Sequence, residues 1–304
     1  MTSILISGGG IAGTAAAYWL HQHGFKTTVV ERAPAPRAGG QAIDIRGTAL
    51  TVVERMGLLP RVHGAATEMR GMSFVNARGR KLASVTEHTL TGGLTGGEDV
   101  EILRDDLNDI LYDATSEDVE YVFGDWITGL DQHETGVRVT FAKGEPREFD
   151  LVVGSDGLHS GVRALTFGPE SRFLHHLGTY VAVFTTENFL DLDHWQTFHM
   201  TPGRMSGLYS ARDNTEARAI LGFTSAPLDY DRHDLAQQRE LIADVFAGHG
   251  WEASRLIEAM DSAPDFYFDS AAQIRLDRWS EGRVVATVGH GHEPGARRRV
   301  RPGR

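Results

Sequence analysis

The sequence predicts an α/β protein in which a Rossmann-like domain is interrupted by a mainly antiparallel β-sheet unit. Three observations predict it. The first thirty-two residues read as strand, glycine turn, helix, strand and acid. Two more strand–helix signals follow at 101–111 and 150–163, and runs of alternating or β-branched residues fill 72–85 and much of the chain from Thr179.

The first strand is Ser3 to Ser7, a short apolar run, and Ile11 to His23 reads as a small-residue helix with Gly24 as its C-cap. "KTTVVE" is a β-branched second strand. Between strand and helix, Gly8, Gly10 and Gly13 keep the G-x-G-x-x-G spacing. In that spacing the first glycine allows the tight turn, the second lets backbone approach a pyrophosphate, and the third lets helix and strand pack closely. The phosphates are expected on the N–H groups that open the helix, at Ile11, Ala12 and Gly13, where the helix dipole favours anions. Glu31 ends the second strand 18 residues after Gly13, where a carboxylate can accept hydrogen bonds from both hydroxyls of an adenosine ribose. A dinucleotide site is therefore expected, and the spacing alone fits FAD and NAD equally.

"RAGGQAIDIRG" (37–47) follows the second strand, and "EILRDDLNDIL" places Arg104 at a helix start with Leu107 and Leu111 on one face. "DLVVGSDGLHSGVR" reads as a buried strand, an Asp-Gly turn at Asp156 and Gly157, and a new helix. Residues 72–85 form a hairpin pattern around 77–79. "TYVAVFTTENF", "WQTFHM", "GLYSARD" and "ARAILGFTSA" read as sheet strands, and 234–247 as an amphipathic helix offering Leu235, Leu241, Ile242, Val245 and Phe246 to one face. Aromatic residues on these strands, Tyr180, Phe198, Tyr209 and Phe223 among them, are expected mainly in the core, with two or three reaching an apolar ligand cavity.

Composition narrows the function classes. The 304 residues are 41% hydrophobic and include no cysteine, which excludes disulfides, thiolate catalysis and cysteine-ligated metal. No apolar run reaches the ~18 residues of a membrane span and no charged leader precedes the first strand, so a cytoplasmic protein is expected. The net charge is -11, and without the five Arg and one Glu of 290–304 the remainder carries 25 basic against 40 acidic residues, or -15. Such a surface repels nucleic acid. The fourteen histidines show no H-E-x-x-H spacing, so no metal site is expected, and no G-x-S-x-G elbow supports a serine hydrolase.

From about Ser3 to Gly289 the chain resembles the single-component FAD-dependent aromatic hydroxylases, the para-hydroxybenzoate hydroxylase-like family, and within it the tetracycline-inactivating and polyketide-tailoring monooxygenases. Gly8, Gly10, Gly13, Glu31 and Arg32 match that family's adenosine end. Arg104 matches its flavin-contacting arginine, Asp44 a residue near the flavin ring, and Asp156-Gly157 its Asp-Gly motif, while Arg37 matches more weakly an arginine assigned to NADPH. The resemblance implies a Rossmann-like FAD-binding domain (1–71, 98–168 and 276–289) with an inserted substrate domain (72–97 and 169–275). It also implies hydroxylation of a small aromatic substrate with O₂ and NADPH or NADH. The cofactor carries the difficult chemistry, so no catalytic acid or base is assigned.

The family's approach to its second flavin motif fits "WSEGRVV", but Gly289 is followed by His290 rather than Asp, and 290–304 is an irregular Arg-, Gly- and Pro-rich tail. A truncated hydroxylase with weakened FAD retention is the expectation. A flavin-linked reductase or epoxidase, and an inactive remnant, are the alternatives.

Overall fold

Successive residues of strand β1 (Ser3–Ser7) point to opposite sides of a sheet covered on both faces, which is why the strand is apolar without alternation. The computed structural model describes residues 1–90 and 98–287; the Gly289–His290 junction and the 290–304 tail lie outside the described residues. From β1 the chain runs through α1 (Ile11–Gln22) into β2 (Lys26–Glu31), parallel to β1. It continues through β3 (Ala42–Ile45), α2 (Thr48–Arg55), α3 (Leu59–Gly64), β4 (Gly71–Val75) and β5 (Lys81–Val85). Then come β6 (Val100–Leu103), α4 (Arg104–Asp113), β7 (Glu120–Phe123), β8 (Ile127–Gln132), β9 (Val137–Phe141), β10 (Arg147–Phe149), β11 (Leu151–Gly154) and α5 (Gly161–Phe167). The remaining elements are β12 (Leu174–Thr186), β13 (Trp195–Thr201), β14 (Arg204–Ala211), β15 (Glu216–Thr224), α6 (Leu235–Phe246), α7 (Ala253–Ser262), β16 (Tyr267–Ile274), β17 (Ser280–Glu281) and β18 (Val284–Ala286).

One sheet has the order β17-β18-β11-β1-β2-β7, parallel except for β17. Leu5, Val30, Val152 and Val284 bury one face against α5 and the β8–β9–β10 sheet; Ile6 and Val29 bury the other with Ala17 of α1. The α1 surface needs small residues because it lies directly on these strands.

The second large sheet has the order β16-β12-β15-β14-β13-β4-β5 and is antiparallel except where β4 runs parallel to β13. Its hairpin turn at 77–79 is closed by Asn76, whose Oδ1 accepts from Arg78 N and Arg80 N, both at 3.0 Å. Helices α6 and α7 cover one face through Ile242, Phe246, Leu256 and Met260, packed on Phe184, Leu208, Leu221 and Phe268. The expected α6 face is right except at Leu235, which is 46% exposed; Gln238 is buried in that helix instead, donating to Asp231 O at 3.1 Å. A short antiparallel pair, β3 with β6, flanks β4 and β5 in sequence and sets Asp44 opposite Glu101.

Candidate functional site

The site begins at the turn between β1 and α1. Gly8 sits at φ +105° and donates to Val30 O at 2.8 Å; a Cβ there would lie 2.4 Å from Ser155 O. The Asp156-Gly157 turn therefore abuts the glycine loop from the neighbouring strand end. A Cβ on Gly10, by contrast, would meet nothing within 4 Å. The first α1 bond runs from Thr14 N to Gly10 O, so the N–H groups of Ile11, Ala12 and Gly13 open the helix without a side-chain cap and with no acid in the first turn. Open space above uncapped donors at a helix start can hold a pyrophosphate.

Glu31 stands over the same loop. Its Oε2 accepts from Gly9 N at 2.7 Å and its Oε1 from Ala33 N at 2.8 Å. The carboxylate is thus locked in place by backbone donors, and each oxygen keeps lone-pair capacity for a sugar hydroxyl. Arg32, the next residue, is exposed and places its guanidinium 5.1 Å from the Trp126 ring centre.

A second cluster surrounds the Gly39–Gly40 loop. Arg104 N donates to Gln41 O at 3.1 Å, and its exposed side chain starts beside Gly40. Arg37, also exposed, lies 5.5 Å over the Tyr267 ring. The loop is held from below by Arg218, 1% exposed, which donates from Nε to Gly40 O at 3.2 Å and from Nη1 to Glu216 at 2.7 Å. Asp105 Oδ2 accepts from Gly39 N at 2.9 Å. Tyr209, fully buried, accepts from Ala42 N at 3.0 Å, and burial pushes its hydroxyl well above the usual phenol range.

Asp44 is more buried than an exposed strand pair would be: its side chain is 7% exposed, with Oδ2 2.6 Å from Arg46 Nη2 and Oδ1 buried without a hydrogen-bond partner among the described residues. Burial pushes its carboxyl up to about 6, the Arg46 guanidinium opposes this, and the neighbouring Glu101 adds to it. Glu101 accepts from Thr67 Oγ1 at 2.6 Å and Thr89 Oγ1 at 2.8 Å.

Asp156 does what Asp before Gly commonly does, closing the following helix start: Oδ1 accepts from Ser160 Oγ at 2.5 Å and Oδ2 from Val162 N at 3.1 Å. Gly157 takes φ +82°. Within this turn His159 bridges two sheets, with Nδ1 3.0 Å from Glu170 and Nε2 3.1 Å from Asp269 on β16. Trp126, His159 and Arg218 escape a reading of the sequence because each acquires its role from a partner distant in the chain. The only sequence signals are an unusually placed Trp after Gly-Asp and an Arg inside an apolar strand. Among the described residues, no group of three or more His, Asp or Glu is arranged to hold a metal, and no helix is long and apolar enough to cross a membrane.

Most of the strand aromatics are core residues, as expected: Tyr180, Phe184, Phe198, Tyr209 and Phe223 are buried. Trp195 and Tyr267 are half-buried, Trp195 donating from Nε1 to Ser73 Oγ at 2.9 Å.

A parallel sheet with an open phosphate turn, joined to a broad antiparallel sheet, defines a dinucleotide-binding α/β protein. The chain belongs to the FAD binding domain family, which matches residues 1–287, and groups with the flavin-dependent monooxygenases. It is 37% identical over 291 residues to a flavin-dependent monooxygenase of an unidentified prokaryote, covering 96% of this chain and 75% of that one. An uncharacterized Mycobacterium tuberculosis protein is 53% identical over 285 residues, covering 94% and 77%. Among solved structures, tetracycline destructase Tet(51) superposes with a TM-score of 0.86 at 33% identity, covering 96% of this chain and 75% of that one.

Proposed function

We propose that this monooxygenase hydroxylates an aromatic or polyketide-like small molecule, taking electrons from NADPH or NADH and oxygen from O₂, in the cytoplasm. The observation that carries the cofactor assignment is the open space at Gly10 over the uncapped start of α1, with Glu31 fixed beside it. The substrate class is supported by the likeness to a tetracycline destructase.

When bound, FAD supplies the redox chemistry and the activation of oxygen. The chain's own residues bind, orient and shield. The N–H groups of Ile11, Ala12 and Gly13, reached through Gly8 and Gly10, hold the pyrophosphate; Glu31 and Arg32 hold the adenosine. Arg104 offers a cation at the edge of the ring site, and Asp44, whose Oδ1 is buried without a partner among the described residues, offers an acceptor there. Asp156-Gly157 braces the glycine loop from behind. Arg37, exposed on the Tyr267 ring, is placed to meet a phosphate of the nicotinamide cofactor. In this reading residues 1–71, 98–168 and 276–289 form the FAD-binding domain, and 72–97 and 169–275 the domain that covers the substrate and excludes water.

The test is Glu31→Ala. FAD affinity, followed by quenching of flavin fluorescence, is expected to fall by about tenfold or more, with the ranking of substrates unchanged. Undiminished FAD affinity would overturn the assignment.

A further inference from the structure

Three separate segments of the chain converge on Trp126, and they do so next to Glu31. Gly124 N donates to Ala33 O at 2.8 Å and Asp125 N to Glu31 O at 3.2 Å, so the turn after β7 is laced to the backbone that leaves β2. Asp125, 4% exposed, pins the third segment. Its Oδ1 accepts from Trp126 N at 2.9 Å and Lys143 N at 3.0 Å, and its Oδ2 from Gly144 N at 2.9 Å. The indole is half-buried, with the Arg32 guanidinium 5.1 Å and the Lys143 ammonium 5.9 Å from its centre. Neither cation has a carboxylate partner among the described residues. In a chain of net charge -11, Arg32 meets an indole rather than an acid, a contact in which a guanidinium can stack its plane on the ring.

Arg32 follows Glu31 directly, and in the proposed reading Glu31 takes the ribose hydroxyls. The base is joined to that sugar by a single glycosidic bond, so it falls beside Arg32. A guanidinium backed by an indole offers a flat, electron-poor surface on which a purine stacks. Left free, the arginine would lose several rotamers on binding; the indole removes that cost beforehand.

We infer that Trp126 is a positioning residue that holds Arg32 as the shelf for the adenine ring, and that this stack adds to the grip on the adenosine half that FAD and ADP carry and FMN lacks. The inference rests on the FAD assignment and adds the residue that reads the base.

The test titrates wild type, Trp126→Ala and Trp126→Phe with FAD, FMN and ADP, following flavin fluorescence and, for ADP, its competition against FAD. Trp126→Ala is expected to bind FAD about tenfold more weakly, with ADP losing the same factor and FMN, which has no adenine, unchanged. Trp126→Phe, which keeps an aromatic face, is expected to recover most of the loss. Arg32→Ala should lose a similar factor, and the double variant no more than either alone. Equal losses for FAD and FMN would show a general structural role and overturn the inference, as would additive losses in the double variant or unchanged FAD affinity in Trp126→Ala. The cofactor assignment fails separately, when wild type itself takes up no FAD.

Discussion

Gly13 lies so close under Gly8 that a Cβ on Gly13 would stand 1.8 Å from the Gly8 carbonyl oxygen. No side-chain rotation relieves a clash with backbone, so helix α1 would have to move off the sheet. Gly13→Ala is expected to destabilise the fold by about 3 kcal/mol, read as a lowered urea midpoint, and to abolish flavin uptake. Gly10→Ala is the contrasting variant. Its methyl meets open space, so the midpoint should stay within about 0.5 kcal/mol of wild type while FAD affinity falls, because the methyl occupies the phosphate's place.

His159 ties the Asp-Gly turn to β16 and to Glu170. Burial opposes its charge, but the hydrogen bonds to Asp269 and Glu170 outweigh burial and push the imidazole from 6.5 up to about 9. A folded-state value above the unfolded one means that the stabilisation is complete below pH ~6.5 and is lost as pH rises through about 9. Thermal unfolding should show wild type about 1–2 kcal/mol above His159→Gln at pH 6, after allowance for solvent screening, and the two converging by pH ~10. A difference that persists unchanged at pH 10 would rule out the charged clasp.

Asp44 has the opposite consequence. Its carboxyl is raised from 3.8 to about 6, by burial first, so the fold favours the protonated form. Its contribution is full below pH ~3.8 and declines as pH rises through about 6. Asp44→Asn, which carries no charge, should therefore be more stable than wild type at pH 8 by about 1–2 kcal/mol and equal to it near pH 4, as measured by denaturant unfolding at both values.

Arg218 is a buried cation whose partners are Glu216, Gly40 O and, at 3.8 Å, Asp105. Removing it empties a fully buried volume and takes the 2.7 Å partner from Glu216, while Asp105 keeps Arg212 at 2.7 Å. Arg218→Ala is expected to cost about 3–5 kcal/mol in unfolding free energy. Arg218→Lys should recover little of this, since one ammonium cannot reach along the three directions the guanidinium spans.

The glycine spacing, the helix it opens and the acid at the end of β2 were legible because each depends on neighbours in the sequence. The position of Glu31 could be read; its backbone partners at Gly9 and Ala33 could not, since they follow from how the loop folds back. Asp44 reads as a polar residue on a short strand, and its burial appears only when β3 pairs with β6. Arg218 and His159 are ordinary charged residues in one dimension, and become structural only when two sheets meet. Leu235 misleads for a related reason: helical periodicity names a stripe, and the docking angle of α6 decides which end of the stripe reaches the core.

Strand β4 leaves the chain early yet runs alongside β13, with Gly71 opposite Trp195, while β18 completes the parallel sheet beside β11 only at Val284. Neither sheet can therefore assemble from one continuous stretch of polypeptide. During synthesis β1 can pair with β2 and β4 with β5, but the second edge of β4 waits for β13 and that of β11 for β18, and loop closure over such separations makes folding slow. The two sheets are committed to rise and fall together, so excised halves of this protein should populate collapsed, chaperone-dependent states rather than autonomous folds.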